Sequence, residues 1–204
     1  MADSENKPTG DAKSLQEIVA GLARCRGCDL WKRATQPVSG EGSPRSRVML
    51  VGEQPGDQED LAGRPFVGPA GHVLDEALEK VGIDRREVYV TNAVKHFSWE
   101  PRGKRRMHKT PSQQEIAACL DWLAAEIRVI RPALIVALGA TAVRALLGPN
   151  VRVLANRGKF LPSDWGTKVL VTVHPSSILR VPPAEREQAF EAFVRDLRHV
   201  QGAM

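Results

Sequence analysis

Four short apolar runs, each ending at a glycine or a polar side chain, constrain this chain more than any other feature. They are residues 48–51 (Val-Met-Leu-Val), 88–91 (Val-Tyr-Val-Thr), 134–138 (Leu-Ile-Val-Ala-Leu) and 168–173 (Lys-Val-Leu-Val-Thr-Val). Runs this brief and this apolar read as buried strands. Amphipathic stretches separate them. Residues 14–24 carry Leu15, Ile18, Val19 and Leu22 at helical spacing, and residues 71–81 place Val73, Leu74, Ala77, Leu78 and Val81 on one face. Ser112 followed by Glu115 has the form of a capping box opening a helix through Val129. Further helices are expected over residues 141–147 and 184–200. Strands alternating with helices predict an α/β fold, a parallel sheet wrapped on both faces. In such sheets ligands bind outside the carboxyl ends of the strands.

One domain over residues 13–204 accounts for most of the 204 residues, behind a polar leader expected to be disordered over residues 1–12. The leader has no apolar centre, so it is not read as a secretory signal. No apolar run approaches the roughly 18–20 residues of a membrane span, so no membrane partner is expected. Three cysteines are too few for a disulfide scaffold and point to a reducing, cytoplasmic setting. No coiled-coil seam is visible, and a monomer is the expectation.

Three polar or glycine-rich segments fall at strand ends: Gly52-Glu-Gln-Pro-Gly56, Asn92, and His174-Pro-Ser-Ser177. The first fits a tight turn on its Pro and Gly content alone. A turn leaves Glu53 and Asp57 at the mouth of a buried strand unexplained. Neither G-x-x-x-x-G-K-[ST] nor G-x-G-x-x-G occurs, which disfavours a phosphate loop. Phe66 stands among Gly and Pro and reads as a loop aromatic able to stack on a base. Asn92 either caps a turn or offers a donor and an acceptor to a pyrimidine edge. His174 either satisfies a backbone group or hydrogen-bonds an anionic leaving group.

Cys25-x-x-Cys28 has metal-ligand spacing and follows a helix, whereas redox pairs usually open one. Cys119 and His96 are candidates to complete a four-ligand site, and three thiolates with one imidazole suit zinc as well as an iron–sulfur cluster. The net charge of +5 is modest, but Arg102, Lys104, Arg105, Arg106 and Lys109 fall in one aperiodic loop without an acid. This loop is either a solvated surface or a phosphate clamp. His108 is embedded in it, where neighbouring cations favour an uncharged, nucleophilic imidazole.

Together, residues 51–56 (Val-Gly-Glu-Gln-Pro-Gly), 63–68 (Gly-Arg-Pro-Phe-Val-Gly), Thr91-Asn92 and His174-Pro-Ser-Ser177 resemble the uracil-DNA glycosylase superfamily. The resemblance covers nearly the whole chain and is closest to the iron–sulfur family four. Three features depart from that family: Gln54 in place of Ala, His96 in place of a cysteine ligand, and the Lys104-Arg-Arg-Met-His108 loop. All three resemble the UdgX branch, whose members become covalently joined to uracil-containing DNA.

The resemblance implies a three-layer α/β/α sandwich with a four-stranded parallel sheet. It implies a 4Fe–4S cluster on Cys25, Cys28, His96 and Cys119, with a structural role. It makes uracil-containing DNA the substrate, with single strands preferred. Phe66 and Asn92 would bind the base, and Gln54, Gly56 or Asp57 would exclude thymine. His174 would stabilise departing uracil, and His108, assisted by Glu53, would attack the sugar. Lys104, Arg105, Arg106, Ser176 and Arg180 would hold the DNA backbone. Two rivals are a hydrolytic glycosylase that turns over and a non-catalytic, metal-stapled nucleic-acid-binding module.

Overall fold

The computed structural model describes residues 12–204, so the leader expected over residues 1–12 lies, but for Ala12, outside the described residues. The four apolar runs form strands β1 (Val48–Gly52), β2 (Val88–Asn92), β5 (Leu134–Leu138) and β7 (Lys168–Thr172). They lie in the order β2-β1-β5-β7 and pair in parallel. The four-stranded expectation is extended by one short strand, β6 (Phe160–Leu161), antiparallel to β7 at the edge, which makes the sheet mixed.

The first three of these strands are buried along their whole length, as sheets covered on both faces require. Alternate residues serve opposite layers. Val48, Leu50, Val90 and Val136 pack under α3 (Pro69–Lys80), α7 (Pro175–Arg180) and α8 (Pro183–Arg198), reaching Leu74, Ile178 and Phe193. Met49, Val51, Ile135 and Val169 pack on the other side against Leu123, Ile127 and Val143 of α4 (Gln113–Ile130) and α5 (Ala140–Leu147). The result is the three-layer α/β/α arrangement. Ser112 and Glu115 close the capping box at the start of α4, a device worth about 1 kcal/mol. Helix α1 (Leu15–Leu22) lies on α4 through Ile18, Leu22 and Trp122.

Several short helices and strands escape the sequence reading. Helix α2 (Asp57–Ala62) opens at Gly56 with three acids in its first turn, a match to the helix dipole. Helix α6 (Val153–Asn156) precedes β6. The basic segment is no aperiodic loop. It forms an antiparallel hairpin, β3 (Trp99–Arg102) and β4 (Arg105–His108), separate from the main sheet. Gly103 makes its two-residue turn possible at φ +62°, a backbone state that side chains resist.

Among the described residues no helix is long and apolar enough to cross a membrane.

Candidate active site

The carboxyl ends of the parallel strands open into a cleft of about 730 Å³. Glu53 enters it directly after β1. Asn92 ends β2 and is register partner to Gly52. His174 follows β7 and caps α7. Phe66, on the loop before α3, sits in the left-handed region at φ +55°, which bulky side chains rarely enter. Its ring lies 5.8 Å from that of His174. A Cβ on Gly52 would come 2.5 Å from the Phe66 ring and collide with the Asn92 amide. That strand end must be glycine for both side chains to face one space.

The hairpin delivers the fifth group. His108 Nε2 lies 3.1 Å from Glu53 Oε1, and Thr141 Oγ1 donates to Glu53 Oε2 at 2.7 Å. Burial acts to raise the Glu53 pKa. The bonds from His108 and Thr141 and the two nearby imidazoles outweigh it and hold the carboxyl below its ordinary value. The charged group against the His108 ring is thus a carboxylate, opposite in sign to the cations beside it in sequence. His174 is held down to about 4 mainly by burial, so the ring is neutral at pH 7. Its Nδ1 accepts the Ser176 backbone N–H at 3.2 Å, which leaves the proton on Nε2 as a donor. Asn92 is 3% exposed, and its Oδ1 has no hydrogen-bond partner among the described residues.

Arg106 sits differently from the expectation, and Gln54 lines the cleft while its amide is tied to backbone. The Gln54 amide is buried and engaged with backbone: it donates to the carbonyls of Ser98 (3.0 Å) and Lys109 (3.1 Å) and accepts from Ser98 N–H (2.9 Å). It grips both legs of the hairpin. Arg106 turns inward, 2.6 Å from both Asp57 and Asp60, with its guanidinium over the Phe97 and Trp99 rings. Its fork is committed to carboxylates rather than offered to phosphates. Lys104 and Arg105 are exposed at the hairpin tip, and Arg180 is exposed beside Ser176, to whose hydroxyl it donates at 3.2 Å. Gly56 and Asp57 line the cleft.

Two contributors were not anticipated. Thr141 lies one turn past the end of β5, so the strand-end rule that found Glu53, Asn92 and His174 would have reached it. Asp60 is fully buried and joins Arg106 to the Thr35 N–H at 2.9 Å, a role with no local sequence signal.

Three of the four metal-ligand candidates, the cysteines, gather on the flank of α4. Cys28 hydrogen-bonds Cys119, which lowers Cys28 to about 7; that shared bond, together with burial, raises Cys119. Trp122 Nε1, one turn along from Cys119, donates to Cys25 Sγ at 3.2 Å. His96 is 2% exposed, held near 4 mainly by burial, and its Nδ1 is buried without a partner among the described residues. An orphaned neutral imidazole and three thiols make up a donor set whose chemistry suits a metal group. Among the described residues no three donors converge closely enough to hold a single ion. A four-iron cluster takes one donor per iron and tolerates a wider ring.

Comparison with known proteins agrees in kind. The model of the uracil DNA glycosylase superfamily matches residues 39–198. A type-4 uracil-DNA glycosylase of Thermotoga maritima is 44% identical over 82% of this chain and 85% of its own length. One from Pyrobaculum aerophilum is 38% identical over 85% of this chain and 88% of its own length. A type-5 uracil-DNA glycosylase of Thermus thermophilus is 31% identical over 79% of this chain and 77% of its own length.

Proposed function

Because the chain belongs to the uracil-DNA glycosylase superfamily, we propose that it removes uracil from DNA and that His108 ends the reaction bonded to the deoxyribose. The observation that carries this reading is the 3.1 Å contact of Glu53 with His108 at the rim of the cleft. A hydrolytic site needs a carboxylate and a water there. An imidazole held against the carboxylate supplies a nucleophile instead.

Uracil swung out of the strand stacks on Phe66, and the Asn92 amide meets its O4 and N3–H edge, the unpartnered Oδ1 accepting from N3. The Gly56–Asp57 segment lines the cleft and excludes the thymine methyl group, since Gln54 is engaged elsewhere. The C1′–N1 bond breaks with its electron pair on uracil, whose developing charge is met by His174 Nε2–H. A ring nitrogen of His108 gives its pair to C1′, and the ring proton facing Glu53 passes to that carboxylate. The products are the uracil anion, a neutral alkylated imidazole and a protonated Glu53. Lys104, Arg105, Ser176 and Arg180 hold phosphates, on single-stranded DNA by preference. The protein acts as a cytoplasmic monomer.

Cys25, Cys28, His96 and Cys119 would hold a 4Fe–4S cluster, which supplies a cross-link between the Cys25–Cys28 turn, the segment after β2 and α4 rather than electrons for excision.

A denaturing gel with labelled uracil-containing single-stranded DNA tests the proposal. A heat-stable band of protein-plus-DNA mass, stoichiometric with protein and lost in His108→Ser, is expected. Free DNA that alkali cleaves at the uracil position, over many turnovers, would favour the hydrolytic reading.

A further inference from the structure

Lys95 is wholly buried, and the reaction above makes no use of it. Its ammonium has three protons and three acceptors: Glu126 Oε2 at 2.6 Å, Thr91 Oγ1 at 2.7 Å and the Asn92 carbonyl at 2.8 Å. Glu126 is buried as completely. It also accepts from Thr91 Oγ1 at 2.8 Å and from the Gly40 N–H at 3.0 Å, and the Tyr89 hydroxyl bonds to it. Taking two charges out of water is costly, and apolar side chains of similar volume usually hold a core as well. Stability is therefore a poor explanation for the pair.

Its position is a better one. Residues 93–98 belong to no helix or strand, and main-chain bonds to the end of β1 hold the first two of them: Ala93 N–H donates to the Gly52 carbonyl at 2.9 Å and Val94 N–H to the Glu53 carbonyl at 3.0 Å. Lys95 adds the next ties. Its backbone N–H donates to the Cys119 sulfur, its carbonyl accepts the Val38 N–H at 2.7 Å, and its side chain folds back to the Asn92 carbonyl. One residue thus ties the base-facing amide to α4 and to the cysteine site.

We propose that Lys95, neutralised by Glu126, is a positioning residue that sets Asn92 at the angle needed to read the base. It acts through Asn92 and never touches DNA. The inference rests on Asn92 reading the base, as argued above.

The test is a double-mutant cycle on the holoenzyme. Lys95→Met with Glu126→Gln removes both charges together and leaves neither buried alone. Lys95→Gln with Glu126→Gln, which removes both charges but keeps polar atoms at both positions, is the gentler second variant and carries the same cycle should the first pair variant fail to fold. Uracil release is measured in a single turnover at saturating single-stranded DNA, with DNA affinity and visible absorbance recorded alongside. The pair variant is expected to release uracil roughly ten- to a hundredfold more slowly, the scale of a small misplacement of a catalytic group, with affinity and absorbance unchanged. The all-amide pair is expected to show a smaller loss. In an Asn92→Ala background either change should cost nothing further. An unchanged rate overturns the inference, and so does a loss that adds in full to that of Asn92→Ala, which would mark a merely structural pair. If Asn92→Ala alone leaves release unchanged, the base-reading role of Asn92 fails instead.

Discussion

Glu53 and His108 meet at 3.1 Å although their own elements share no hydrogen-bond ladder. Glu53 leaves the end of β1, and His108 ends the hairpin. Close chain neighbours bring them together. Gln54, next to Glu53, grips the backbone on both sides of the hairpin, and Arg106, two residues before His108, anchors it to Asp57 and Asp60. The pair depends on two residues whose polar groups are spent on the protein's own backbone and carboxylates.

Glu53→Gln keeps a hydrogen-bonding side chain of the same size but cannot take the His108 proton. The rate of forming an SDS-stable adduct is expected to fall by about two to four orders of magnitude, the usual worth of a general base. The melting temperature and the visible absorbance should stay close to wild type, and an absorbance loss would mean the change acted through folding.

Arg106→Met and Lys104→Ala should part company. The first leaves Asp60 buried without its cation and frees the hairpin, so adduct formation slows while affinity for DNA changes little. The second removes a cation exposed at the hairpin tip. It should lower the slope of log affinity against log salt by about 0.7 on single-stranded DNA while sparing the chemical step. Fluorescence anisotropy across a salt series, set beside single-turnover rates, separates the two.

Gly52→Ala adds one methyl where the Phe66 ring and Asn92 amide leave no room. Uracil release should fall by at least roughly a hundredfold through misplaced base contacts, with the fold retained. Circular dichroism and release of free uracil check both halves.

Acid should weaken the fold early. The ordinary histidine value is 6.5, and burial holds His174 near 4, so between these the unfolded chain takes a proton that the folded chain refuses. Stability is therefore complete above about 6.5 and falls as pH drops toward about 4. His96, also held near 4 by burial, adds a slope of the same sign. Glu53, whose carboxyl is held low, loses its contribution only at lower pH still. Melting temperatures between pH 7 and pH 4.5 should decline, and His174→Gln should make the decline shallower without removing it.

The sheet and its mouth were legible because apolar runs such as Leu134–Leu138 carry their own signal, and a topological rule then points to the strand ends. Glu53, Asn92 and His174 followed from that rule. The hairpin was not legible: Trp99–Arg102 and Arg105–His108 show no apolar alternation, since what fixes them is Gln54 and Asp60, far away in sequence. Charge alone made Arg106 look like a phosphate ligand. Its committed fork depends on two carboxylates that only folding brings near. Lys95 was hidden for the same reason, because its partner Glu126 lies on another layer of the fold.

Intact-mass spectrometry of the protein after one incubation with a short uracil-containing single strand tests the central claim most directly. The account predicts a single added mass equal to the oligonucleotide less its uracil, with fragmentation placing it on His108. Unmodified protein beside an abasic oligonucleotide would contradict it and leave His108 a bystander to hydrolysis.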